Sequence, residues 1–241
     1  MQIETIKTKL NEFHKKIGIR ILNHQSPISG DQFPGEFNVS GFHKEILMLP
    51  ELSDSFFGID KCMRLKEQIG ENSSFVFNMG IYAKSIDLKN SFSEPFKDKR
   101  FLELQEEVIE QFLSLMSYFK LKKENFEATY LDNVAFGLSK GRDRILDKKY
   151  TFPQDKKSKE VLEKNSIKIY PVKSLQNIDI HPIEGALVGP RVEIAYNGME
   201  IATLVFDCFK INNRKLIPLN YVAGYAIGIE RLALVISNER D

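Results

Sequence analysis

The sequence predicts an α+β fold in which a mainly antiparallel sheet is flanked by helices. Residues 167–175, 190–196, 199–209 and 216–226 read as strands with few helices between them, a succession that builds an antiparallel sheet rather than βαβ units. Two other stretches carry apolar residues at helical spacing. Ile3, Ile6, Leu10, Phe13 and Ile17 predict a helix ending near Gly18, and Phe101, Leu104, Val108, Phe112, Leu115 and Phe119 predict a second over 98–119. At 241 residues, with 42% hydrophobic and 28% charged residues, the chain suits a single domain over 1–241 that buries a core.

The remaining elements follow in order. Pro27, Gly30, Pro34 and Gly35 make 25–35 a loop. Residues 36–49 read as a strand with a turn at Ser40-Gly41. Strands at 59–66 and 74–86 would form a hairpin turning at Gly70-Glu71-Asn72-Ser73. Residues 126–135 read as a strand. The charged stretch 140–168, with Lys148-Lys149 and Lys156-Lys157, reads as a solvated surface helix with flanking loops rather than a basic substrate-binding loop.

Composition excludes several classes. A net charge of +1 advertises no nucleic-acid surface, although a total hides patches. Cys62 and Cys208 have no metal-ligand or CxxC spacing and read as buried, reduced thiols of a cytoplasmic protein. No run approaches 18 apolar residues, so no membrane span is expected. Lys7, Lys9 and the lack of a long apolar stretch near the N-terminus argue against a signal peptide.

The chemistry concentrates at Gly224-Tyr225-Ala226-Ile227-Gly228-Ile229-Glu230-Arg231-Leu232. Small residues at 224, 226 and 228 would let a backbone approach a ligand closely. Glu230-Arg231 follows where the helical pattern of Leu232, Val235 and Ile236 begins. A guanidinium beside a small-residue surface suits polyphosphate; tight strand-to-helix packing is the other reading.

This run is similar to motif 3 of class II aminoacyl-tRNA synthetases. The block from Gly189 to Leu234, with Gly189-Pro190-Arg191-Val192-Glu193-Ile194 and Glu200-Ile201-Ala202-Thr203-Leu204-Val205-Phe206, resembles the end of the alanyl-tRNA synthetase catalytic domain. Lys61-Cys62-Met63-Arg64 resembles the opening of motif 2, Phe75-Val76-Phe77-Asn78-Met79-Gly80 its returning strand, and Asn38-Val39-Ser40-Gly41-Phe42 the segment before it. The resemblance implies a class II synthetase-like antiparallel sheet flanked by helices and ATP-dependent activation of a small amino acid. It implies Arg64 on the α-phosphate and the amino-acid carboxylate, Arg231 on the γ-phosphate, and Gly228 beside the nucleotide. Glu200 and Thr203 would serve Mg2+ and phosphate. Strict strand alternation puts those two on opposite faces, so joint action needs a twist, a bulge, or a backbone or water contact. Phe77 would stack on adenine, unless a one-residue shift gives that place to Val76. Glu184 stands where the alanyl enzymes carry an Asp for the substrate amine, with His181 nearby.

The sequence departs from the family in several places. The segment from Leu65 to Ser73 is shorter than the family's loop, the acid before the motif 3 strand is missing, and there is no Trp for the alanine pocket, with Ile180 nearby. The resemblance spans roughly residues 10 to 236, and the family's tRNA-recognition, editing and oligomerisation domains are expected to be absent. The acceptor expected is therefore tRNA, a carrier protein, a peptide or a small molecule. The alternatives are a non-catalytic paralogue acting as a regulatory or ligand-binding subunit, and a split synthetase. A homodimer is the common class II arrangement, and the sequence sets neither oligomeric state nor amino acid.

Overall fold

The computed structural model describes residues 1–22, 46, 49, 54–64, 75–86, 94–138, 141, 143–180 and 184–239, with backbone alone at 62–64 and 75–76. The first helix, α1 (Ile3–Lys16), buries Ile6 and Leu10. It ends at Gly18, whose φ of +81° is a conformation glycine adopts without strain. There the Gly18 and Ile19 N–H groups donate to Lys15 O and His14 O at 3.0 and 2.9 Å, satisfying two terminal carbonyls.

Strands β1 (Arg20–Leu22), β2 (Ser55–Arg64) and β3 (Phe75–Ile86) follow, then α2 (Lys99–Tyr118). Asp98 caps α2: its Oδ1 accepts from the Arg100 N–H at 3.0 Å and its Oδ2 from the Tyr221 hydroxyl at 2.9 Å. The Arg100 guanidinium is the main cause holding the Asp98 carboxyl below the usual carboxylate range. Next come β4 (Phe126–Leu131), β5 (Val134–Phe136), β6 (Tyr150–Phe152) and α3 (Lys156–Lys164). β7 (Lys168–Val172), β8 (Ile178–Asp179), β9 (Leu187–Tyr196), β10 (Met199–Asn212), β11 (Lys215–Gly228) and α4 (Ile229–Asn238) complete the chain.

Among the described residues, nine strands join in the order β1-β2-β3-β11-β10-β9-β4-β7, with β8 pairing β9. Only β1–β2 and β4–β7 are parallel, so the predicted antiparallel sheet is present. Two short turns fix β10 at both ends. Asn197-Gly198 and Asn213-Arg214 all have positive φ, the backbone that matches strand twist in two-residue hairpins.

One face of the sheet carries the helices. Phe101, Val108, Phe112 and Leu115 of α2 join Ile6 and Leu10 of α1, Leu232 of α4, and Val192, Leu204, Phe206 and Tyr225 of the sheet in one core cluster. The far face holds Phe56, Ile81, Ala83 and Val222, with Leu49 packed on them.

Several sequence expectations change. The strand expected over 36–49 is described only at Ile46 and Leu49, and both are helical; three apart, they present one helix face to the far-face cluster. The strand at 126–135 breaks at Asn133, whose φ of +49° turns β5 out of the sheet to pair β6. The loop at 25–35, Ser40-Gly41 and the turn at 70–73 lie outside the described residues. α3 is the expected surface helix, held from below by Asp155, which accepts from the Ser158 N–H at 3.1 Å and Gln105 Nε2 at 3.0 Å. Cys208 is buried and free; the Cys62 side chain is not described. No described helix is long and apolar enough to cross a membrane.

His14 joins α1 to the sheet. It is fully buried and stacks on Phe57 with ring centroids 3.7 Å apart. The Leu10 carbonyl can only accept, so Nδ1 carries the proton at 2.6 Å, and Nε2 accepts from the Tyr225 hydroxyl at 2.7 Å. Burial pushes His14 down from 6.5 to about 4. A histidine that is harder to protonate folded than unfolded supports the fold fully above pH 6.5. It loses that support as pH falls toward about 4, a total of about 3 kcal/mol. Urea midpoints measured between these pH values should therefore fall in wild type, and fall less steeply in His14→Gln.

Candidate active site

The corner where β11 passes into α4 is held by a clamp. The Glu230 carboxylate, in the first turn of α4, accepts the Asn78 backbone N–H at 2.9 and 3.0 Å and Asn78 Nδ2 at 2.6 Å. Charge-assisted bonds of this kind are the stronger ones, and an acid is favoured at a helix N-terminus. The clamp ties α4 to the start of β3, where Gly228 lies opposite Met79.

Arg231 follows directly and reaches across to β10. Its Nη1 donates to the Glu200 backbone carbonyl at 3.0 Å and lies 3.3 Å from Glu200 Oε2. The two side chains are 41% and 44% exposed. An ion pair so exposed contributes at most about 1 kcal/mol, so a polyphosphate can compete for the guanidinium, which has further N–H donors.

Thr203 shares the far face with Glu200 because β10 bulges. Glu200 pairs Ala195 but Ala202 pairs Ile194, leaving Ile201 as the extra residue. Ile201 and Ala202 are buried in succession, 1% and 3% exposed, and alternation resumes with Thr203 on the side of Glu200. The sequence condition for joint action of Glu200 and Thr203 is thus met.

The small residues divide into two roles. A Cβ on Gly228 would make ordinary van der Waals contact with the Arg231 side chain, Cδ nearest at 3.6 Å, so this position tolerates a methyl group beside Arg231. A Cβ on Gly224 would fall 2.0 Å from the Tyr82 carbonyl oxygen on the neighbouring strand. Gly224 therefore serves the sheet, not a ligand, which corrects the sequence reading for that residue.

Arg64 occupies the end of β2, in register with Phe75; its side chain is not described. Phe77, half-buried, sits opposite Cys62 and two residues before Met79, on the rim nearest the corner. Glu184 is not brought to this group. Its Oε1 accepts the Asn213 N–H at 2.5 Å, beyond the far end of β10. Thirteen strand positions separate Asn213 from Glu200, on the order of 40 Å. His181 lies outside the described residues.

Three residues escaped the sequence reading. Asn78 and Glu230 form the clamp, and the only hint was an acid beside Arg231. Asp207 lies inside β10, 2% exposed, and Oδ1 has no partner. Burial first, and the neighbouring Asp179 charge second, push its carboxyl well above the usual range. Its signal was an acid within the apolar run Leu204-Val205-Phe206-Asp207-Cys208-Phe209. Among the described residues no three His, Cys, Asp or Glu side chains gather as a metal site. A cavity of about 390 Å³, lined by Phe96, Tyr150, Phe152, Phe209 and Leu216 among others, lies toward the opposite end of β10 and includes none of the expected site residues.

No family model matches the chain, and no curated protein does. Solved structures do. The S. aureus histidyl-tRNA synthetase aligns at 12% identity and TM-score 0.53 over 97% of this chain, which spans 65% of that protein's length. A histidine–tRNA ligase subunit from Alicyclobacillus acidocaldarius aligns at 8% identity and TM-score 0.61, covering 99% of this chain and 94% of that one. PylSc of Desulfitobacterium hafniense, a pyrrolysyl-tRNA synthetase, aligns at 12% and 0.52, covering 98% and 69%. The likeness establishes a class II synthetase-like fold.

The two glycines should separate by stability. Gly224→Ala should lower unfolding free energy by about 2 kcal/mol or more, because a backbone atom blocks the new methyl group. Gly228→Ala should change it by under about 1 kcal/mol, as urea titration of both variants will show.

Proposed function

We propose that the chain activates an amino acid with ATP, forming an aminoacyl-adenylate and releasing pyrophosphate. The observation that carries this reading is the Arg231–Glu200 contact at one corner of the sheet, with Thr203 on the face of Glu200 because of the bulge. The carboxylate oxygen of the amino acid would form a bond to the α-phosphorus as the bond to the pyrophosphate oxygen breaks. Such a reaction needs positioning and charge neutralisation rather than a protein nucleophile. Arg231 would take the γ-phosphate, with Gly228 beside the nucleotide. Arg64 would take the α-phosphate and carboxylate, and Phe77 the adenine.

Magnesium prefers oxygen ligands, often one or two carboxylates plus phosphates. Glu200 with the Thr203 hydroxyl on its face fits that donor set. Bound there, the ion would offset phosphate charge. The alanyl resemblance of residues 189–234 favours a small amino acid, with tRNA, a carrier protein, a peptide or a small molecule as acceptor, and residues 1–241 acting as one catalytic unit.

A second reading, a ligand-binding subunit without catalysis, is favoured by one observation: Arg231 and Glu200 already satisfy each other. Amino-acid-dependent ATP–pyrophosphate exchange with magnesium, run over all twenty amino acids, separates the two. Activation predicts exchange with one or a few small amino acids, reduced about 100-fold or more in Arg231→Ala and in Glu200→Gln. ATP binding without exchange supports the binding subunit, and loss of both refutes the nucleotide site.

A further inference from the structure

Two buried atoms of opposite charge lack partners on the far face. They are Asp207 Oδ1 and Arg191 Nε. Arg191 donates to Glu193 Oε1 through Nη2 at 2.7 Å, which leaves Nε unused. Arg191 is the register partner of Val205, and Asp207 follows Val205 by two residues, so both share the face of Thr203. Asp179 pairs with Gly189 on β9, and a Cβ on Gly189 would lie 2.6 Å from Asp207 Cα. The two acids therefore flank a position that has no side chain. A buried polar group left unpaired is costly, more so when charged, so each such group in a folded protein calls for a partner.

We propose that Asp207 and Asp179 receive the ammonium group of an amino-acid substrate, with Arg191 Nε reaching its carboxylate. This rests on the activation reading above and supplies the substrate end of that site. Glu200, Thr203, Val205 and Asp207 stand in order along β10 at about 3.3 Å per residue. Metal and phosphate, carboxylate, and amine would then lie in the sequence that the reaction requires. Burial and the neighbouring Asp179 charge raise the Asp207 carboxyl, and a bound ammonium would act in the opposite direction.

The test is thermal stabilisation of the whole chain by each of the twenty amino acids and, separately, by MgATP. One or a few amino acids should raise the Tm of wild type, while the matching α-hydroxy acid, which lacks the ammonium, should not. Asp207→Asn should bind that amino acid about 10- to 100-fold more weakly and keep its MgATP response. It should also unfold no earlier than wild type, because Asn removes a buried unpaired carboxyl. If that variant does not fold, Asp179→Asn is read in the same way. An undiminished amino-acid response in the variant overturns the proposal, as does an α-hydroxy acid that stabilises equally well or a wild type that responds to no amino acid. A wild type that responds to amino acids but not to MgATP refutes the activation reading and supports the amine site.

Discussion

The bulge at Ile201 is the constraint on which the site depends. The hairpin turn at Asn197-Gly198 sets Met199 opposite Tyr196, and the core needs Ala202 and Leu204 on the helix side. With strict alternation from Glu200, Ala202 would stay on the far face and Thr203 would enter the core. One extra residue reconciles the two demands. Its cost is a locally disrupted ladder. In return, Ile201 and Ala202 both join the core, and Glu200, Thr203 and Asp207 all keep to the far face. A core requirement thus sets the site geometry.

The acids at the corner differ in what they can release. Glu230 is committed, since three hydrogen bonds from one residue hold it and it fixes where α4 begins. Glu200 is half of an exposed pair whose energy is small against that of a bound polyphosphate. Adjacent residues in sequence, Glu230 and Arg231, therefore have opposite duties. The first secures the backbone and the second is held by a weak, exposed pair. Exchanging these duties would leave a mobile helix start beside an immobilised guanidinium.

Much of this was legible in the sequence where period and turn chemistry act locally. Ile3 to Ile17 and Phe101 to Phe119 show helical spacing because each covers a core on one side. The hairpin at Asn197-Gly198 closes on a residue pair that accepts positive φ at both positions. Arg231 and Glu200 were legible through their motifs, but their contact was not, because 31 residues and a register shift separate them. Asn133 broke a run that alternation alone continued. Glu184 was misplaced because an offset of five residues from a Gly-Pro turn does not say toward which end of the sheet the chain runs. Asp207 was missed because nothing in its apolar neighbours reveals that Asp179 and Arg191 come alongside.

Two glycines set how closely the central strands approach. Gly189 and Gly224 both sit where a Cβ would lie 2.0 Å from a carbonyl oxygen of the adjacent strand, Phe206 and Tyr82 respectively. Such crossings let neighbouring strands coil closely together, and no larger residue fits either position. Gly224 is the register partner of Val205, and Gly189 lies against Asp207. The close approach that the sheet requires thus removes side chains from the floor between the Arg231 corner and the Asp207 acid. A motif that reads as glycine for a ligand acts first as glycine for strand packing.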